Sequence, residues 1–231
     1  TYGYVWMGRN CSYVGEQDPI YKCDMWAPRN LLTATGRGRP HQHSHNLYNI
    51  YKPSELWDQH PDVFPEWDGK RYRPPDDQSH TWQPCFSNPL VVEIAVKAAR
   101  AYFDSQPEQE MFSLGINDCY GWCECARCNE ANGPAKTFRG RKVWSNNYYR
   151  FVNAVAAQVA RSHPGKLLGC IAYNNVELPP DFELEPNVSV WNTQDTAQHF
   201  DPEYEKADFD MLRRWTEVCK HVGKYDYYGF T

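Results

Sequence analysis

Asp118 stands where an apolar run, Phe112-Ser-Leu-Gly-Ile116, gives way to Asn117-Asp118 and then to Trp122-Cys123-Glu-Cys125-Ala-Arg-Cys128. A carboxyl group at a strand tip is held by rigid backbone and exposed by the loop that follows, which is where parallel-stranded α/β proteins keep their reactive groups. Asp118 is therefore the first candidate for a general acid or base. Tyr120 and Trp122 beside it are the residue types that desolvate a carboxyl and keep it protonated near neutral pH.

The cysteines suggest two different chemistries. Cys123, Cys125 and Cys128, with Cys119 or Cys85 as a fourth, carry the thiolates that a structural Zn²⁺ takes, but C-x-C-x-x-C lacks the distant second pair of a ribbon-type site. Disulfides or free thiols stapling the loop after Asp118 explain the same residues and are the favoured reading, so no cofactor is expected. The chain has nine cysteines, an odd number that rules out complete pairing within it. Cys170 and Cys219 lie in apolar runs and read as small buried hydrophobes. Placed five to ten positions after Asp118, the Cys loop is expected to brace the carboxyl rather than react.

Other residue types point to binding. In His41-Gln-His43-Ser-His45 the imidazoles alternate, so a strand would place all three on one face. His45 reads as a hydrogen-bonding group for a ligand hydroxyl or carboxylate, His41 and His43 as surface polar residues, and His60, before Pro61, as a turn cap. Asp68-Gly69-Lys70-Arg71 is a turn, since Asp-Gly favours positive backbone dihedrals, and Arg71 could clamp an acidic ligand bidentately. Tyr173 and Trp191, at strand ends, are candidate stacking platforms.

These residues need a scaffold. The 231 residues, 41% hydrophobic and 23% charged, suit one globular domain. A net charge of −5 without a long Lys/Arg run argues against binding nucleic acid or an anionic membrane through charge. No stretch is apolar enough to span a bilayer. Aromatics make up 15% of the chain, a surplus that suits stacking on the flat faces of sugars or bases as well as core filling. Tyr2 to Met7 and Lys224 to Phe230 read as strands at the two ends, as if the chain were excised from a longer protein.

Between them strands and helices alternate. Asn88-Pro89 starts a helix with Val91, Ile94, Ala95, Ala98 and Tyr102 inward. A strand covers Met111 to Ile116. A second helix, opened by Ser145 and ended near His163-Pro-Gly165, buries Tyr148, Phe151, Val152, Val155 and Val159. Leu167 to Ala172 and Asn187 to Trp191 are strands. A last helix presents Phe209, Leu212, Trp215, Cys219 and Val222 and stops at Gly223. Strands apolar throughout are covered on both faces, so the sheet should be parallel with helices outside it. The expected fold is α/β, a (β/α)₈ TIM-type barrel, incomplete in this chain. The segment from Asp24 to Arg73 gives no clear assignment.

An ordered series now accumulates: His45, His60-Pro-Asp62-Val-Phe64, Asp68-Gly-Lys-Arg71, Gln83-Pro-Cys85-Phe-Ser-Asn88-Pro89, Asn117-Asp118, Trp122-Cys-x-Cys-x-x-Cys128, Phe151-Val-Asn153, Ile171-Ala-Tyr173 and Pro179-Pro180. It resembles the bacterial family called domain of unknown function 4838, over Trp26 to Tyr228. Asp62, where a glutamate is expected, and Pro84 and Phe86, where leucines are usual, depart from the pattern. The family is similar to the barrels of α-glucuronidases and β-hexosaminidases and belongs to large exported proteins.

The resemblance implies export, an oligo- or polysaccharide partner, and an acid carboxylate at the end of the fourth strand, where Asp118 lies. Glycoside hydrolysis ordinarily uses two carboxyls about 5 to 9.5 Å apart. Asp226 and Glu177 are the candidate partners. Hexosaminidase-like enzymes instead borrow the substrate's acetamido group, in which case Asp118 with an orienting Asn117 suffices; Trp122 joins His45, Arg71, Tyr173 and Trp191 as a sugar contact. Three functions follow: a glycoside hydrolase for uronic-acid or N-acetylhexosamine linkages, a noncatalytic carbohydrate-binding barrel, or a thiol or metal protein built on the Cys loop. Oligomeric state is not encoded.

Overall fold

The computed structural model describes residues 3–5 and 43–226. Five strands form one sheet in the order β1-β9-β8-β7-β4, every pair parallel. They are β1 (Gly3–Val5), β4 (Met111–Ser113), β7 (Leu167–Ala172), β8 (Val188–Gln194) and β9 (His221–Asp226). Two antiparallel hairpins lie outside the sheet, β2 (Glu66–Trp67) with β3 (Lys70–Arg71) and β5 (Thr137–Phe138) with β6 (Arg141–Lys142). The α-helices among the described residues are α1 (Leu47–Ile50), α2 (Pro53–Leu56), α3 (Pro89–Ser105), α4 (Ala126–Asn132), α5 (Ser145–Ser162) and α6 (Pro202–Val218).

The α/β expectation with a parallel sheet stands, but the described strands do not close into a barrel. Closure takes about eight strands with consistent tilt and stagger. Beyond β4, among the described residues, the sheet is extended by a parallel bridge between Gly115 and His45.

Local chemistry explains the helices. The Asn88 side chain accepts from Leu90 N at 3.0 Å with Pro89 at the first helical position, starting α3 as the sequence predicts. All five residues named for the apolar face of α5 are buried. Ser145 opens α5 from inside it, donating to Leu178 O at 2.6 Å instead of capping the helix.

The last helix differs from the sequence reading. Asp201 caps α6 by accepting from Glu203 N and Tyr204 N, and the helix ends at Val218. Val222 and Gly223 belong to β9, so Gly223 does not stop the helix. A Cβ there would lie 2.6 Å from Trp191 Cε3, and the glycine makes room for that indole. The Asp68-Gly69 turn has φ of 48° and 74°, as Asp-Gly chemistry dictates. Arg139-Gly140 repeats it at 47° and 74°.

Strand alternation assigns two faces to the sheet. Trp191 pairs in register with Ile171 on one side and Gly223 on the other. Ile171, Tyr173, Trp191, Gly223 and Tyr225 therefore share a face. Leu168, Cys170, Val190, Asn192, Gln194 and Asp226 occupy the opposite face, toward the helices, where Gln194 Nε2 donates to Asp208 O of α6.

Candidate functional site

Three segments build the site at the carboxyl end of the sheet. Gly115 is the first requirement, because a Cβ there would lie 2.2 Å from Ser44 O and 2.5 Å from His43 O. Its absence lets the His43-Ser44-His45 segment lie directly on the end of β4. The contact is then locked: Asn46 N donates to Gly115 O at 3.0 Å, Asn46 Nδ2 to Ser113 O at 2.8 Å, and His45 Nδ1 bonds Ile116 O. With Nδ1 committed to a carbonyl, which can only accept, that nitrogen carries a proton.

The loop carrying Asp118 is fixed by Asn117. Its Oδ1 accepts from Tyr48 N at 2.8 Å and its Nδ2 donates to Trp82 O at 2.7 Å. The amide of Gln83, which the sequence reading did not single out, pairs with the Asn117 backbone as a neighbouring strand would, Nε2 to O at 2.7 Å and N to Oε1 at 3.1 Å. Asn117 is wholly buried by these contacts, so it holds the loop and does not face a ligand. Asp118, one residue on, is exposed.

Tyr173 reaches Asp118 from β7. Burial raises the phenol above its ordinary value, and the nearby Asp118 charge raises it further. The Tyr173 ring lies 5.9 Å from that of His45, and the exposed Tyr120 is close enough to add to the same field. Farther along this face His43 lies flat on Trp191, ring centroids 4.6 Å apart and planes 19° from parallel, with Tyr225 edge-on to the imidazole at 5.8 Å. His43 is 5% exposed, which corrects its reading as a surface residue; His41 lies outside the described residues. His60 precedes a 3₁₀ turn at Pro61–Val63 but makes no side-chain cap bond.

Asp118, His45, Tyr173 and Trp191 thus share one face, and His43, Tyr225 and Tyr120 join them. The signal for His43 was its spacing of two from His45.

The other candidates lie elsewhere. Asp226 points to the helix face, where Thr196 Oγ1 donates to it at 2.9 Å and Lys224 forms an ion pair with it. Glu177 is buried in the helix layer. Its carboxylate pairs with Arg139, which also reaches Asp208 Oδ1 at 2.6 Å, and its carbonyl accepts from Trp215 Nε1 at 2.9 Å. Burial pushes the Glu177 carboxyl above its ordinary value, with Arg139 pulling the other way. Trp122 is 3% exposed and stacks on Trp144, so its ring is closed to a ligand. Arg71 donates to Phe64 O at 2.8 Å and lies 3.5 Å from Glu66 Oε2 and 3.9 Å from Cys123 Sγ, committing its fork to the protein.

Beneath the loop, the sulfurs of Cys85, Cys123, Cys125 and Cys128 all lie within 4.8 Å of one another and are buried. The fourth member is Cys85, brought in from the segment before α3; Cys119 sits apart, accepting from Gln83 Nε2 at 3.4 Å. Among the described residues no two cysteines are joined in a disulfide. Within the cluster, the contact with Cys128 pushes the Cys123 thiol up, while contacts with Cys123 and Cys85 pull Cys128 down. Cys170 and Cys219 are buried, as small hydrophobes should be. Among the described residues no helix is long and apolar enough to cross a membrane.

No curated protein and no solved structure matches the chain. A family model does, over residues 5–230, its description being "Domain of unknown function (DUF4838)". That match takes in both the His43 to His45 segment and the Asp118 loop with its cysteines, and the chain belongs to the DUF4838 family.

Proposed function

We propose that this protein is a carbohydrate-active enzyme that cleaves N-acetylhexosaminide linkages, with Asp118 as general acid and the substrate's own acetamido oxygen as nucleophile. The observation that carries the reading is that Asp226 and Glu177 are engaged elsewhere, which leaves Asp118 as the carboxyl beside Tyr173 on the face shared with His45. A two-carboxylate mechanism needs a second free carboxyl across the scissile bond. Neither candidate is free.

Substrate assistance removes that need. As the acetamido oxygen bonds to the anomeric carbon, Asp118 passes its proton to the departing glycosidic oxygen. The resulting Asp118 carboxylate then takes a proton from water as that water opens the cyclic intermediate, which restores both groups. Tyr173 holds the carboxyl in line and Tyr120 offers an exposed ring to the sugar, excluding water from Asp118 when substrate is bound. The expected uronate clamp at Arg71 is tied to Phe64 and Glu66, which favours the amino sugar over the uronic acid. The parallel sheet is proposed to continue into a (β/α)₈-type barrel; β1 lying beside β9 supports this, because closure brings early and late strands together.

Aryl glycosides of N-acetylhexosamine, of the parent hexose lacking the acetamido group, and of glucuronic acid separate the readings. The proposal expects turnover of the first alone. Turnover of the glucuronide in preference would return the choice to the uronate reading. Saturable binding of N-acetylhexosamine oligosaccharides with no turnover would favour a noncatalytic carbohydrate-binding barrel, a reading supported by the exposure of Asp118.

A further inference from the structure

We propose that Cys85, Cys123, Cys125 and Cys128 hold one structural Zn²⁺ as a closed tetrathiolate site. Four sulfurs around a zinc at about 2.3 Å stand about 3.8 Å apart, the edge of the tetrahedron. Cys85 Sγ lies 3.7 Å from both Cys125 Sγ and Cys128 Sγ, and all four fall within 4.8 Å of one another. A disulfide requires about 2.05 Å. The sulfurs are therefore spaced for a common ion and not for each other.

The surroundings form a second, independent line. Binding zinc converts four thiols and Zn²⁺ into a tetrathiolate of net charge −2 with release of four protons. Such a charge in a buried place needs donors and a cation around it. Glu66 N donates to Cys123 Sγ at 3.3 Å, and Arg71 Nη1 sits 3.9 Å from the same sulfur. A pair of neutral disulfides has no use for either. Arg71, read from the sequence as a ligand clamp, is better explained as the cation of this site. No side of the cluster is open, since the four residues are between 0% and 6% exposed, so no position is left for water or substrate. A closed four-sulfur site is the structural kind, not the catalytic kind.

The placement gives the ion a purpose. Cys85 precedes α3, whereas the other three follow Asp118, Cys123 and Cys125 in its loop and Cys128 in the first turn of α4, so one ion ties two distant segments beneath the candidate site. Gln83, two residues before Cys85, pairs with the Asn117 backbone, and the clip therefore also fixes the residue next to Asp118. From sequence alone C-x-C-x-x-C favours disulfides or free thiols because it lacks the distant second pair of a ribbon-type site, with Cys119 and Cys85 both open as a fourth ligand. Its missing ligand comes from 38 positions upstream of Cys123, a separation that only the fold makes short.

The test uses the intact chain, purified without added metal and dialysed against a mild chelator. Elemental analysis should find one zinc per chain, and the four cluster thiols should resist a thiol reagent until an organomercurial releases the zinc. Replacing zinc with Co²⁺ should give the intense visible and charge-transfer bands of a tetrahedral thiolate site, a readout independent of any variant's folding. Cys119→Ser should retain the full metal content, and Cys85→Ala should lose it. Chain that is folded and metal-free with a mass lower by four hydrogens would establish two disulfides and overturn the proposal. So would stoichiometric iron in place of zinc, or retention of metal by Cys85→Ala with loss in Cys119→Ser.

Discussion

Gly223 on β9 faces Trp191 on β8 so closely that a single added methyl would sit 2.6, 2.8 and 2.9 Å from three carbons of the indole. The two are partners in the sheet register. The glycine therefore keeps Trp191 flat enough to carry the His43 stack. Gly223→Ala should cost about 1–3 kcal/mol, the usual range for overpacking, and should change the tryptophan fluorescence as the ring tilts. Denaturant unfolding measures the first effect; an unchanged midpoint would show that the ring can move aside freely.

Gly115 is a stricter case, because the atoms in the way are backbone. An alanine Cβ would meet Ser44 O at 2.2 Å, and neither strand can yield without breaking the bonds from Asn46 N and Leu47 N to Gly115 O. Gly115→Ala is expected to lower stability more than Gly223→Ala does and to release His45 from Ile116. Hydrogen exchange should show the 43–47 segment losing protection while β7 and β8 keep theirs. Uniform loss across the sheet would place the strain elsewhere.

Glu177, Arg139 and Asp208 make a buried charge cluster that His199 closes with a 2.9 Å contact from Nε2 to Asp208 Oδ2. Arg139→Gln strips two buried carboxylates of their cation and should cost about 3–5 kcal/mol. The pH dependence has a definite sign. Burial raises the native Glu177 value above the ordinary 4.5, so the native state holds this proton more tightly than the unfolded chain. Its contribution is complete below about the ordinary value and is lost as pH rises through the native one. Glu177→Gln should flatten that decline in a stability profile taken upward from pH 4 while leaving turnover largely intact. A large selective loss of turnover would put Glu177 back in the chemistry.

What the sequence made legible was local. Asn88-Pro89, the α5 stripe and Asp68-Gly69 are governed by neighbours a few positions away, and each formed as its chemistry requires. The strand leading to Asp118 was legible in part: the apolar run predicts a strand from Met111 to Ile116, while β4 ends at Ser113 and the chain beyond it makes a bridge at Gly115. What escaped depended on distant partners. Asn117 looks like a ligand group until Tyr48, Trp82 and Gln83 are seen to saturate it. Asp226 looks available until the register with β8 turns it toward the helices. Gly223 ends a helix on sequence rules and opens space for an indole in the sheet, and only the register tells these apart.

Asp118→Asn keeps the size of the carboxyl and its capacity to hydrogen-bond while removing the transferable proton. If Asp118 is the general acid, turnover of a natural sugar leaving group should fall on the order of 10² to 10⁴, with folding and substrate binding preserved. A good phenolate leaving group needs little protonation, so cleavage of an activated aryl N-acetylhexosaminide should fall much less. Tyr173→Phe provides the companion measurement. It removes the hydroxyl whose field meets Asp118 while leaving the ring against His45. The variant should therefore shift the pH profile of turnover without abolishing it. Rate profiles on both substrates decide the matter. Equal losses on the two leaving groups, or a pH profile unmoved by Tyr173→Phe, would remove Asp118 from the acid role and leave this face as a binding surface.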